Sequence, residues 1–242
     1  MNGNTGTVAT LKNVAIAIEA IERATQRAAH LPGLVVLYGP SGWGKSTAAA
    51  YCMNEMSAVY VACRSTTTRK SLLIAIATEL NLTPARTMDE IAEQVAGELA
   101  RTGRPLIVDE MDHMVDKRAV EIVRDLHDAS GAAVLLIGEE RLPDKLRQWE
   151  RVHGRVLAFY PAQPADLEDG RHLRELYCRR IQVADDLLQH IVDAARGSVR
   201  RICVNLDLVL ERARTLGAME MSLATWGDTP LYTGEAPKRR VG

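Results

Sequence analysis

The run Gly39-Pro40-Ser41-Gly42-Trp43-Gly44-Lys45-Ser46-Thr47 has the spacing G-x-x-x-x-G-K-[ST]. Each residue type in it has a use if the ligand is a nucleoside triphosphate. The glycines let successive backbone N–H groups turn toward phosphate oxygens, Lys45 can reach the β and γ phosphates, and the Ser46 hydroxyl can ligate Mg²⁺. The helix that follows, over about 48–56, adds the positive potential of its N-terminus. A chance glycine-rich turn would need the preceding apolar strand, the lysine and the Ser46-Thr47 hydroxyl pair all to coincide. The cofactors expected from this run are ATP and Mg²⁺.

A second constellation, Pro105-Leu106-Ile107-Val108-Asp109-Glu110, sets two adjacent carboxylates at the end of an apolar strand. Alone they could be a solvated strand terminus. Beside a phosphate cradle, Asp109 becomes the residue expected to hold Mg²⁺ and Glu110 the one that orients and polarises an attacking water. The pair favours hydrolysis over mere nucleotide holding. His113 reads as a loop or helix-cap residue.

The elements that must position these groups are legible as hydrophobic periodicity. Leu34–Tyr38 is a continuous apolar run bounded by Pro32-Gly33 and Gly39, the pattern of a buried parallel strand. Similar runs lie at 58–62, 106–108, 133–137 and, more weakly, 156–160. Helical spacing occurs ahead of the first strand at Val14, Ile16, Ile18 and Ile21, and again at 71–80, 88–100 and 119–128. The second of these three opens on a capping box, Thr87 answered by Glu90. Such alternation predicts an α/β three-layer sandwich with a five-stranded parallel sheet. After Pro161 and Pro164 only helical periods remain, which predicts an α/β domain over 1–163, a small all-helical domain over 164–222 and a loose tail over 223–242 that carries Lys238-Arg239-Arg240.

With 242 residues, 47% hydrophobic and 25% charged, the composition is that of an ordinary globular chain. A net charge of −1 means that any nucleic-acid contact must come from a local basic surface. Cys52, Cys63, Cys178 and Cys203 form no C-x-x-C pair and read as reduced core thiols. No apolar run approaches the roughly 20 residues that span a bilayer, and residues 1–10 lack a signal-peptide core. The expectation is a cytoplasmic protein with no membrane partner.

Together the phosphate loop after the first strand, Asp109-Glu110 ending the third, a fourth strand and a helical C-terminal part resemble the AAA+ ATPases over about 14–216. The resemblance implies the P-loop NTPase fold with a helical lid, and assigns further roles. Arg200, in Gly197-Ser198-Val199-Arg200-Arg201, is the implied sensor that reaches the γ-phosphate; a solvated basic helix start is the plain alternative. Arg155 and then Arg151 are the implied arginine fingers that complete a neighbouring subunit's site, so a lone subunit should hydrolyse poorly. The family's polar sensor at the end of the fourth strand is replaced here by Glu139-Glu140. A carboxylate repels phosphate at close range, so Glu139 should point elsewhere or hydrolysis should depend on a partner.

Within that family, Val61 to Lys70, Leu136 to Leu142 and Arg151-Val152-His153-Gly154-Arg155 look like the transposition-helper ATPases of the phage Mu B type. This likeness implies ATP-dependent homo-oligomers, ring or filament, on double-stranded DNA, with a transposase as partner. With about thirty residues ahead of Leu34, the expectation is that the phage protein's N-terminal helix-turn-helix domain has no counterpart here. Arg64, Thr66, Thr67, Thr68, Arg69 and Lys70 are the candidate DNA contacts, since cations and hydroxyls at a loop-to-helix junction can hold phosphates without reading bases. A capped helix start with solvated charges is the plain alternative. Rival functions are an AAA+ ATPase acting on a protein partner, of the secretion or assembly type, and a nucleotide switch that hydrolyses little.

Overall fold

The computed structural model describes residues 11–236. Chain order is α1 (Lys12–Thr25), β1 (Leu34–Tyr38), α2 (Lys45–Glu55), β2 (Val59–Ala62), α3 (Arg69–Glu79), α4 (Met88–Thr102), β3 (Leu106–Asp109), α5 (Asp112–Asp116), α6 (Glu121–Ser130), β4 (Val134–Gly138), α7 (Leu142–Arg147), α8 (Glu150–His153) and β5 (Val156–Pro161). There follow α9 (Leu167–Tyr177), β6 (Gln182–Val183), α10 (Asp185–Ala195), α11 (Val199–Leu216), β7 (Glu220–Met221) and α12 (Leu223–Trp226).

The five long strands pair in the order β2-β3-β4-β1-β5, all parallel. Parallel neighbours need a crossover, and the helices between successive strands supply it. They also cover the faces, which is why β1, β3 and β4 are continuous apolar runs instead of alternating ones. One core cluster joins Leu34, Val36, Leu106, Val108, Val134 and Leu136 of the sheet to Leu72, Leu73 and Ile76 of α3 and to Ile91, Val95 and Leu99 of α4. α4 begins on the expected capping box, with Thr87 accepting from the Glu90 N–H and Glu90 returning to the Thr87 N–H, and ends on Gly103 in the left-handed conformation. With every strand pointing the same way, Gly39, Cys63, Asp109 and Glu139 all fall at strand C-terminal ends, where α/β sheets hold their ligands.

The chain forms two compact units, one of residues 13–40 and 45–162 and the other of residues 11–12, Ser41–Gly44 and 163–236. Four residues of the phosphate loop thus group with the C-terminal helices. In that second unit the loop residue Gly42 accepts at its carbonyl from the Arg200 N–H at 3.2 Å. A Cβ at Gly44 would lie 3.2 Å from Val199 Cγ2, and both glycines have φ in the left-handed region, +83° and +85°. Side chains there would be strained as well as crowded.

Two expectations for the C-terminal part need correcting. It is not all helical, because β6 and β7 form a two-residue parallel pair, Gln182 with Glu220 and Val183 with Met221. Nor is the stretch from Leu223 loose as far as Tyr232. Trp226 is 1% exposed and donates from its indole to Thr229 O, while Asn205 bonds Tyr232 through both its amide and its carbonyl oxygen. One aromatic and one buried asparagine anchor a segment that has no periodicity to betray it. Lys238-Arg239-Arg240 lie outside the described residues.

Candidate nucleotide site

β1 delivers the chain to Gly39, and α2 starts at Lys45, so the loop between them is fixed at both ends in the sheet unit. The Lys45 ammonium bends back over its own loop and donates to Gly39 O at 2.6 Å and Pro40 O at 2.9 Å. Burial lowers its pKa, opposed by Asp109, Glu110, Glu139 and Asp112 in decreasing order. Four carboxylates therefore bear on one ammonium, and among the described residues its direct partners are two neutral carbonyls. Phosphate oxygens are stronger acceptors than carbonyls, so this lysine is set to exchange partners. Ser46 is exposed and Thr47 half-buried in the first turn of α2.

Asp109 is 3% exposed at the last position of β3. Its Oδ1 accepts the Glu110 N–H at 2.8 Å and its Oδ2 accepts the Tyr60 hydroxyl at 3.1 Å. Register makes this possible: Ala62 pairs with Asp109, so Tyr60 stands two residues back on the neighbouring strand. Burial first, and then the Asp109 charge, push the Tyr60 pKa up, which keeps its hydroxyl proton in place as a donor. Glu110 is exposed and has φ +53°, a left-handed conformation that is costly outside glycine and that concentrates at functional positions. The donor set fits a Mg²⁺ ion and triphosphate: two carboxylates, a serine hydroxyl, an ammonium, and a loop whose glycines leave no room for a Cβ.

Sequence reasoning passed over Asp112. It is 5% exposed, accepts the Glu139 N–H at 2.7 Å through Oδ2 and pairs with Lys145 at 3.1 Å through Oδ1. A Cβ at Gly138 would come within 2.4 Å of Asp112 Oδ2, so the glycine ending β4 is what admits this carboxylate. Glu139 is thus held by its backbone, with its side chain exposed. Tyr60 was missed too, for a shared reason: both act through contacts between strands or elements that are distant in sequence.

The candidate arginines stand differently. In the C-terminal unit Ser198 caps α11, accepting from the Arg201 N–H, and puts exposed Arg200 in the first turn. A Cβ at Gly42 would lie 2.8 Å from Ser198 Oγ and 3.6 Å from Arg200 Cβ. Arg155 makes a bidentate ion pair with Asp128, at 2.8 and 3.2 Å. Arg151, also exposed, has no ion pair among the described residues.

In the segment from Arg64 to Lys70 several groups have structural duties. The Thr67 hydroxyl accepts the Arg64 N–H at 2.7 Å, and Thr68 caps α3 in a capping box with Ser71. Arg69 donates to Arg118 O at 2.9 Å and Lys70 to Arg86 O at 3.0 Å. Arg64, Ser65 and Thr66 are exposed. Lys117, Arg118 and Arg86, absent from the sequence-based set, bring the cations joined by these contacts to six, and none of the six is ion-paired among the described residues.

Residues 27–146 match the family model for the AAA domain. This stretch is similar to an AAA domain. The sheet and its flanking helices have the corresponding P-loop fold. No curated protein matches the sequence. Among solved structures, the chain is similar to the Aeropyrum pernix ORC2 protein in its ADPNP-ADP complexes, with a TM-score of 0.69 and 16% identity over 92% of this chain and 68% of that one. It is similar as well to Cdc6p from Pyrobaculum aerophilum, with TM-score 0.62 and 17% identity over 86% and 63%, and to the Aeropyrum pernix ORC1 protein in complex with DNA, with TM-score 0.63 and 16% identity over 88% and 63%. At such identities the likeness is one of fold. Among the described residues no helix is long and apolar enough to cross a membrane.

Proposed function

We propose that the chain is an ATP-hydrolysing, DNA-binding AAA+ protein that assembles on duplex DNA and directs a transposase, with 1–163 as its nucleotide-binding part and 164–222 as its lid. The observation that carries the reading is the Lys45 ammonium, folded back on the Gly39 and Pro40 carbonyls of its own loop at the strand ends that carry Asp109 and Glu139. In this reading Lys45 and the loop N–H groups from Gly39 to Thr47 hold the triphosphate, while Ser46 and Asp109 hold Mg²⁺. The metal, when bound, neutralises charge that builds up on the phosphate oxygens. Tyr60 keeps Asp109 turned to its task. Glu110, exposed beside it, takes the proton of the attacking water. Arg200 senses the γ-phosphate from the lid.

Across a subunit boundary, Arg151 is the better finger, because Arg155 would first have to leave Asp128. A finger contributes roughly 10³ to 10⁵ in rate, so turnover should rise steeply with protein concentration. DNA binding is supported by the unpaired cations around Arg64–Lys70 and by a neighbour solved with DNA. With a slowly hydrolysed ATP analogue, the protein should sediment with random-sequence duplex at low salt and dissociate as salt rises. Failure to sediment under those conditions would leave the reading of a protein-directed ATPase instead.

A further inference from the structure

β4 lies between β1 and β3, and its register fixes what flanks its C-terminal end. Tyr38 pairs with Gly138, so the residues that follow are Gly39, first of the phosphate loop, and Glu139. On the other side Val108 pairs with Leu136, and the Met111 N–H donates to Ile137 O at 2.9 Å, which brings Asp109 and Glu110 alongside. Glu139 therefore stands between the phosphate loop and the two carboxylates that end β3. Its backbone is fixed on both sides: the N–H donates to Asp112 Oδ2 at 2.7 Å, and the carbonyl accepts the Leu142 N–H at 3.0 Å. Asp112 and Leu142 are themselves 5% and 0% exposed, and Lys145 pairs with Asp112. The Glu139 side chain is exposed, and among the described residues it has no hydrogen bond or ion pair. Its charge acts on the Lys45 ammonium together with those of Asp109 and Glu110.

An ionised carboxylate has acceptors and no donor, so toward a phosphate oxygen it can only be repulsive. The Mg²⁺ complex of a nucleoside triphosphate carries one negative charge more than that of the diphosphate. A carboxylate at this place opposes the triphosphate more, and its anchored backbone cannot carry it away. Over the width of one or two strands, about 5–10 Å, one unit charge is worth a factor of roughly 3 to 30 at surface dielectrics. The geometry points to Glu139 as a specificity-determining residue that weakens the hold of the phosphate loop on nucleoside triphosphate relative to diphosphate. This rests on the reading of 39–47 as a nucleotide site. Glu139 acts by like-charge repulsion alone; it neither holds the metal nor takes a proton.

The test is calorimetric titration of ADP and of a slowly hydrolysed ATP analogue, each with Mg²⁺, into the wild type, Glu139→Gln, Glu139→Ala, Glu139→Asp and Glu140→Gln. The side chains changed are exposed, so all five proteins should melt alike. In Glu139→Gln and Glu139→Ala the ratio of triphosphate to diphosphate affinity should rise roughly 3- to 30-fold over that of the wild type. Glu139→Asp keeps the charge, and Glu140→Gln removes one that stands a residue farther along the chain; both should keep the wild-type ratio. An unchanged ratio in Glu139→Gln and Glu139→Ala, a weaker hold on triphosphate in either, or an equal rise in Glu140→Gln would overturn the assignment of Glu139 and leave the nucleotide site standing. A wild type that takes up neither nucleotide would overturn the reading of the phosphate loop along with it.

Discussion

At the scale of single residues, the proposed roles separate holding a nucleotide from cleaving it. If Lys45 holds the phosphates as proposed, Lys45→Ala removes charge-assisted hydrogen bonds worth about 1.5–3 kcal/mol each, so ATP affinity should drop about 100-fold or more in an equilibrium titration. Glu110→Gln keeps the side-chain shape and loses the proposed base; ATP affinity should stay within a few-fold and turnover fall by about 10²–10⁴. A buried histidine away from the loop gives a pH prediction. His127 is 6% exposed, its Nδ1 faces Ala132 O at 2.8 Å, and its Nε2 accepts the Gly33 N–H at 3.3 Å, which requires the neutral ring. Burial lowers its pKa below the ordinary 6.5, so the unfolded chain binds a proton first. Stability should be unaffected by this group above pH 6.5 and should decline as pH falls from there toward the lowered value. Chemical denaturation of wild type against His127→Gln across that window would show the difference shrinking. The phosphate-loop and strand-end residues were legible because each motif is a contiguous string with its own chemistry. Tyr60, Asp112 and His127 were not, since their roles come from register and packing across the sheet.

Among the elements, local signals were read accurately where the chain closes its own hydrogen bonds. Thr87 and Glu90 announced α4 within four residues, and Thr87→Ala should lower stability by about 1 kcal/mol in a denaturant titration. The start of α3 was read less well. Sequence spacing put it at 71, but Thr68 and Ser71 cap each other and the helix begins at Arg69. Two hydroxyls assigned to DNA are therefore occupied, Thr67 with the Arg64 N–H and Thr68 with the cap. Gly138, the last residue of β4, lies against Asp112 at the start of α5, and Gly138→Ala should displace Asp112 and lower both stability and turnover. An unaltered melting curve and rate for that variant would show that the 2.4 Å approach is easily relieved. The buried thiols of Cys52 and Cys178, both pushed up to about 11, and of Cys63, pushed up to about 12, belong to packing.

For the molecule as a whole, β-α alternation fixed the class of fold, and the five strands appear within a residue of where the apolar runs put them. The order β2-β3-β4-β1-β5 could not be read, because strand neighbours are chosen by long-range packing that leaves no local mark. The grouping of Ser41–Gly44 with the C-terminal helices was equally hidden, since it depends on Gly42 and Gly44 lacking a Cβ that Ser198 and Val199 would meet. DNA affinity should fall linearly in log–log form with salt, and the slope should flatten when Arg64 and Lys70 are both changed to alanine. All of this presupposes that a triphosphate enters the loop. Isothermal titration of ATP with Mg²⁺ into the folded protein tests it most directly. The account predicts saturable binding near one nucleotide per chain, abolished by Lys45→Ala; no heat of binding from well-folded wild-type protein, or equal binding by the variant, would contradict it.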